Sequence, residues 1–337
     1  MKIVIDDKIP FIQGVFEPYA EVAYLPGGKI DAAAVRTADV LVIRTRTRCN
    51  AALLDGSRVR LIATATIGYD HIDTRYCRER GIRVATAAGC NARGVLQWVF
   101  AVLLALEVRP AGTTLGIIGV GNVGSAIRHA AEAVGFDVLC CDPPRRSRGE
   151  AGTEAFVTQE ELLRRADVVT THVLLDDTTR GMASTSFFAA MRPGTIFLNS
   201  SRGEVVDEAA LKAALRSGQV AQAALDVWGH EPDIDRELLG MTALATPHIA
   251  GYSLQGKAMG TAMSVRTVAA FLGLPLPADW YPDGAPRQHP RSVLTWDEVA
   301  RDMPAYYNIR TDDAALRHEP ERFEELRGNY RFREEFF

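Results

Sequence analysis

Short apolar runs recur along the first ninety residues, at 3–5, 22–24, 40–43, 61–65 and 83–86. Each is brief and partly β-branched or aromatic, which predicts strands. Polar stretches between them carry helix-start signals. Asp31 precedes Ala-Ala-Ala-Val, Asn50 precedes Ala-Ala-Leu-Leu, and Asp70 precedes His-Ile-Asp. Each is placed to accept hydrogen bonds from the first turn of a helix. Gly81 predicts the stop of the helix after Asp70. The uncharged stretch between Arg93 and Glu107 predicts a buried helix over 91–108, closed by Pro110. It is too short to cross a bilayer.

A second alternating block follows, with strands predicted at 115–118, 137–141, 168–171, 195–199, 223–227 and 243–246. Helices are predicted over 122–134 and from Ser253 to 272, the latter closed by Gly273 and Pro275. Thr158 and Glu161 have the spacing of a capping box. Strands alternating with helices predict an α/β chain built on doubly wound parallel sheets. From 275 the pattern breaks: Pro275, Pro277, Pro282, Pro286 and Pro290 read as a linker. Trp296, Tyr306, Tyr307, Phe323 and Tyr330 then give the tail anchors large enough to pack on something.

Composition narrows the class. The 337 residues suffice for two domains and an appendage. With 47% apolar and 24% charged residues the chain is a folding sequence, not a disordered one. A net charge of −4 argues against a nucleic-acid partner, and the hydropathy argues against a membrane. The five cysteines, Cys49, Cys77, Cys90, Cys140 and Cys141, are odd in number and form no C-x-x-C. With no leader ahead of the first strand, a reduced, cytoplasmic compartment is expected. No metal is expected.

Candidate chemistry gathers at predicted strand ends. Gly119-Val-Gly121-Asn122-Val123-Gly124 follows one strand and opens a helix. Gly119 allows the tight turn, Gly121 the approach of a pyrophosphate, and Gly124 close packing of helix on strand. Asp142, at the end of the next strand, can accept both ribose hydroxyls of a dinucleotide and would repel a 2′-phosphate, which favours NAD. Asn199-Ser200-Ser201-Arg202-Gly203, Asp226-Val-Trp-Gly-His-Glu231-Pro and Pro-His248-Ile-Ala-Gly251-Tyr252 end three further strands. Arg202 can clamp a carboxylate. His248 can take a hydroxyl proton as hydride leaves, and Glu231 can hold the imidazole. Arg44-Thr45-Arg46-Thr47-Arg48 puts charged donors and hydroxyls at another strand end, with Arg44 and Thr45 expected to reach a phosphate and Arg48 to be solvated.

These motifs resemble the D-isomer-specific 2-hydroxyacid dehydrogenases over about residues 1–275. The resemblance implies Arg202, Glu231 and His248 as the catalytic trio. It implies a flavodoxin-like substrate domain (1–94 and 250–274) and a Rossmann NAD domain (95–249). It also implies cofactor contacts at Gly119, Gly121, Asn122, Val123, Gly124, Asp142, Thr171, Ser200, Ser201, Asp226 and Gly251. Segments 64–71, 89–92, 141–145, 248–257 and 307–317 are most similar to a member with a C-terminal dimerisation domain, placed here at 275–337. That likeness implies a small phosphorylated 2-hydroxy acid as substrate, contacts at Thr45, Thr66 and Tyr252, and a homodimer. The sequence departs from the family where Val173-Leu174 replaces a proline after His172, and where Gln97 replaces a glutamate. Alternatives are a dehydrogenase for another acid, such as 3-phosphoglycerate, and a non-catalytic, NAD-sensing corepressor-like protein.

Overall fold

A computed structural model describes residues 1–288 and 294–337. Pro290 of the expected linker lies outside the described residues. The chain divides into two compact units, Met1–Asn91 with Ser253–Gln288, and Ala92–Tyr252 with the described part of His289–Phe337. The sequence reading sets 275–337 apart, whereas this division gives 275–288 to the first unit and the described residues from 294 on to the second.

The first unit is built on β1 (Lys2–Asp6), β2 (Glu21–Leu25), β3 (Val40–Ile43), β4 (Leu61–Thr64) and β5 (Arg83–Thr86). They form a parallel sheet in the order β2-β1-β3-β4-β5, the flavodoxin-like order. β3 and β4 are buried at every position, as a strand covered on both faces must be. The helix Leu254–Leu272 returns to this sheet, and its Val265 and Val268 pack with Ile3, Ile5, Val40 and Leu61. Gly256 and Gly260 permit that approach: a Cβ on Gly260 would lie 2.8 Å from the Ala65 carbonyl oxygen.

The second unit holds β6 (Thr114–Ile118), β7 (Asp137–Cys141), β8 (Val168–Thr171), β9 (Thr195–Asn199), β10 (Val220–Leu225) and β11 (Leu244–Ala245). Their order is β11-β10-β9-β8-β6-β7, all parallel. Strand order therefore reverses between β6 and β8, and in the first unit between β1 and β3. Such reversals open crevices at the carboxyl ends of strands.

The tail is folded. Trp296–Asp302, Ile309–His318 and Phe323–Gly328 are helices. Val299, Met303, Tyr307, Ile309 and Phe336 join the core around Trp98 and Phe100, and Leu316 and Phe323 join the core on the other face of the sheet. Asp313 accepts the backbone N–H of Ala245 at 2.7 Å and so occupies a donor on the edge strand β11.

Three local expectations need correction. The cap near 70 is Asp73, not Asp70: Asp73 accepts from Tyr76 N and the helix is Thr74–Glu79. His71 and Asp73 are instead held to the backbone of Cys49, at 2.9 and 2.8 Å, which keeps 70–72 out of the helix. The long helix is Ala92–Ala105 and stops short of 108, because Glu107 turns left-handed at φ 58°. Thr158 caps its helix by accepting from Glu161 N, but the Glu161 carboxylate turns to Arg165 at 2.6 Å, leaving half of the expected box.

Candidate active site

The glycine turn leaves β6 at the strand-order reversal. Gly119 sits at φ +86°, and a Cβ there would strike the His172 carbonyl oxygen at 2.6 Å. Gly124 presses still closer, its hypothetical Cβ 2.1 Å from the Gly119 carbonyl oxygen. A Cβ on Gly121, by contrast, would meet nothing within 4 Å. Two glycines are thus needed for packing, while the middle one faces open space at the N-terminus of the helix Asn122–Val134. The first turn of that helix, with Asn122 and Val123, directs unpaired N–H groups outward.

Asp142 ends β7 beside this turn. Its carboxylate accepts Val120 N at 2.8 Å and Arg145 N at 3.0 Å, which fixes it while leaving lone pairs for hydroxyl donors. Arg145 binds the Val120 carbonyl and Glu150, and Arg146 is exposed. An open glycine backbone, a helix N-terminus and a fixed acid fit a dinucleotide.

Behind the turn lies a buried polar hub that the sequence did not reveal. Asn199 Oδ1 accepts from Thr171 Oγ1 at 2.9 Å, Ser201 N at 3.0 Å and Ser201 Oγ at 2.7 Å. Its Nδ2 donates to the Arg202 carbonyl at 2.9 Å. The hydroxyls of Thr171 and Ser201 are therefore engaged inside the protein. Ser200 lies 3.5 Å from His172 Nδ1. Burial pushes the His172 imidazole down to about 3, so it stays neutral.

The three strand-end motifs converge. Gly203 carries the Arg202 chain against the next motif so tightly that a Cβ would lie 1.9 Å from the Trp228 carbonyl carbon. Glu231 folds back to accept Trp228 N at 3.1 Å. Its Oε2 meets His248 Nδ1 at 2.7 Å. His248 has φ 58°, a left-handed conformation rare outside glycine, and its N–H donates to the Asp226 carbonyl at 2.7 Å. Asp226, fully buried, stabilises this strained loop. Its carboxylate accepts Thr246 Oγ1 at 2.6 Å, Ile249 N at 2.8 Å and Ala250 N at 3.0 Å. Burial pushes the Asp226 carboxyl above its ordinary range, against the lowering pull of His248 and these donors. Gly251 and Tyr252 continue the loop.

The tail contributes two arginines that sequence reasoning passed over. Arg327 reaches Glu231 Oε2 at 3.3 Å and hydrogen-bonds Tyr252. Arg333 is buried, stacks 4.2 Å over the Tyr307 ring, and donates to the carbonyls of Gly94, Ile249 and Ala250.

In the first unit, Arg44 forks onto the fully buried Asp6 through Nε and Nη2, both at 3.2 Å. Two of its donors are thus already engaged by the protein. The chain turns after β3, so strand alternation does not extend through 44–48. Thr47 is buried and bonds the Gly27 carbonyl, Arg46 and Arg48 are exposed, and Thr45 is half-buried. Thr66, after β4, shares a hydrogen bond with Thr64 and donates to the Gly68 carbonyl.

Residues 97–250 match the family model described as "D-isomer specific 2-hydroxyacid dehydrogenase, NAD binding domain". A Bacteroides fragilis protein named erythronate-4-phosphate dehydrogenase is 42% identical over 99% of this chain and 97% of its own length. The chain belongs to the D-isomer specific 2-hydroxyacid dehydrogenase family. A relative of the same name from Cronobacter sakazakii is 40% identical over 100% of this chain and 92% of its own. Among solved structures, the NAD⁺-bound 3-phosphoglycerate dehydrogenase of Entamoeba histolytica superposes with a TM-score of 0.69 at 24% identity, covering 81% of this chain and 95% of that one. That likeness speaks for the fold. As a member of this family the protein is an NAD-dependent oxidoreductase, and the glycine turn and Asp142 belong to its NAD-binding domain.

Proposed function

We propose that this dehydrogenase oxidises 4-phospho-D-erythronate to 2-oxo-3-hydroxy-4-phosphobutanoate, a step of pyridoxal 5′-phosphate biosynthesis. Full-length similarity to relatives named for that activity supports the substrate. The observation that carries the chemistry is the 2.7 Å contact between His248 Nδ1 and Glu231. It leaves Nε2 as the free ring nitrogen, so His248 accepts the proton of the 2-hydroxyl there. Bound NAD supplies the acceptor for the hydride from C2. Glu231 holds the ring and stabilises the imidazolium formed. Arg202 pairs with the substrate carboxylate. Arg44, Thr45, Thr66 and Tyr252 bind the rest of the acid, with Arg44 and Thr45 toward the phosphate.

The cofactor contacts in this reading are Gly119, Gly121, Asn122, Val123, Gly124, Asp142, Thr171, Ser200, Ser201, Asp226 and Gly251. Residues 95–249 serve the cofactor, 1–94 and 250–274 the substrate, and 275–337 a homodimer contact. The proposed compartment is the cytoplasm, supported by five free, buried cysteines.

Purified protein offered 4-phospho-D-erythronate and 3-phosphoglycerate with NAD turns over the first in preference. Turnover of 3-phosphoglycerate alone rejects the substrate assignment. His248→Ala lowers kcat by roughly 10²–10⁴-fold while NAD still binds. Near-normal turnover in that variant rejects the mechanism. Sedimentation at micromolar concentration gives twice the chain mass, and a purely monomeric species removes the homodimer.

A further inference from the structure

We propose that Arg327, supplied by the C-terminal segment, is a positioning residue for catalysis: it fixes the Glu231 carboxylate against the His248 imidazole and tempers its charge. The inference rests on the proposed pairing of Glu231 with His248 as the proton-transfer groups.

The geometry brings Arg327 onto the carboxylate of the pair. Its Nη1 lies 3.3 Å from Glu231 Oε2, the same oxygen that meets His248 Nδ1 at 2.7 Å. The ion pair is largely withdrawn from water, with side-chain exposures of 12% for Arg327 and 17% for Glu231. A charged pair so shielded is screened far less than one on the surface. Arg327 also hydrogen-bonds Tyr252, so one guanidinium links the histidine's partner to a proposed substrate contact.

The arginine is itself held. Its helix, Phe323–Gly328, is pinned by Phe323, which is fully buried. Further along, Arg333 grips the carbonyls of Ile249 and Ala250, the residues just after His248. The same segment thus touches Glu231 through its carboxylate and secures the backbone that directly follows His248.

The charged and titratable groups around the pair can be named. Asp226 faces His248 from the end of β10, Arg327 faces Glu231, and Tyr252 faces Arg327. Glu208 lies under the same turn, accepting Gly229 N at 2.8 Å. Burial alone would raise the Glu231 carboxyl, but His248 and Arg327 together hold it below its ordinary range. Without Arg327, the unopposed carboxylate would favour the imidazolium, and the base would need a higher pH to be free.

The test compares pH profiles of kcat/KM for 4-phospho-D-erythronate oxidation in the wild type, Arg327→Met and Arg327→Lys. In Arg327→Met the acid limb moves to higher pH by about one unit, and kcat at neutral pH falls by about tenfold or more. In Arg327→Lys, which keeps the charge, the limb stays near that of the wild type. Thermal denaturation and NAD titration accompany each variant. An unmoved limb in folded Arg327→Met overturns the proposal, as does an equal shift in Arg327→Lys. If Arg327→Met does not fold, Arg327→Gln takes its place and is judged by the same limb. His248→Ala separates the two ideas: full activity there rejects the catalytic pair itself, whatever Arg327 does.

Discussion

At the scale of single residues, His248 and Asp226 show what a sequence can and cannot disclose. The order of Arg202, Glu231 and His248 behind a dinucleotide turn was legible, because each sits in a short motif at a strand end. The role of Asp226 as the buried acceptor for Thr246, Ile249 and Ala250 was not, since its partners lie some twenty residues on and two of the three donors are backbone. Asp226→Asn turns an NH₂ group toward one of these donors. The variant should lose about 1.5–3 kcal/mol of stability, the range for hydrogen bonds to a charged group, measured by denaturant unfolding. Its kcat should fall as well, because the left-handed backbone at His248 loses its support. Arg44 is a second case of a hidden partner. Its place at a strand end was legible, but the partner that orients its fork, Asp6, lies 38 residues away and was not.

At the scale of elements, the strands were the most legible part. β-branched runs covered on both faces have few alternatives to a parallel sheet, and all the observed strands overlap the predicted ones. Helix ends were less so. Asp70 and Asp73 are equally good caps in isolation, and the choice was made by hydrogen bonds to Cys49, far away in sequence. The glycine turn gives a sharper test, since its three glycines have separable duties. Gly124→Ala must push against the Gly119 carbonyl, so it should cost about 1–3 kcal/mol in urea unfolding and lose NAD binding. Gly121→Ala adds a methyl to open space, on a backbone (φ −75°, ψ −148°) that lies outside the regions favoured by residues with a Cβ. The backbone cost should be about 1–3 kcal/mol with no packing clash added, while NAD binding weakens by about tenfold or more. Equal NAD affinity in wild type and Gly121→Ala would show that the turn does not carry the pyrophosphate.

At the scale of the whole molecule, the aromatic residues announced that the tail packs somewhere, but not where. Phe323 and Leu316 are fully buried in the second unit, beside residues such as Leu211 and Leu238 that come much earlier in the chain. The distance in sequence hid this, because no short-range pattern links them. Phe323→Ala should therefore lower the stability of the second unit by about 3–5 kcal/mol, read by denaturant unfolding, although the change lies well outside the family-model match at 97–250. An unchanged midpoint would mean that the tail is an independent appendage. The chain's route has one more consequence. It leaves the first unit after Asn91, returns at Ser253 and departs again after Gln288, so both units are assembled from two separated stretches. No single exchange point in the gene delivers both halves of each unit together. Recombination with a relative that joins the chains anywhere along this length breaks at least one set of matched partners.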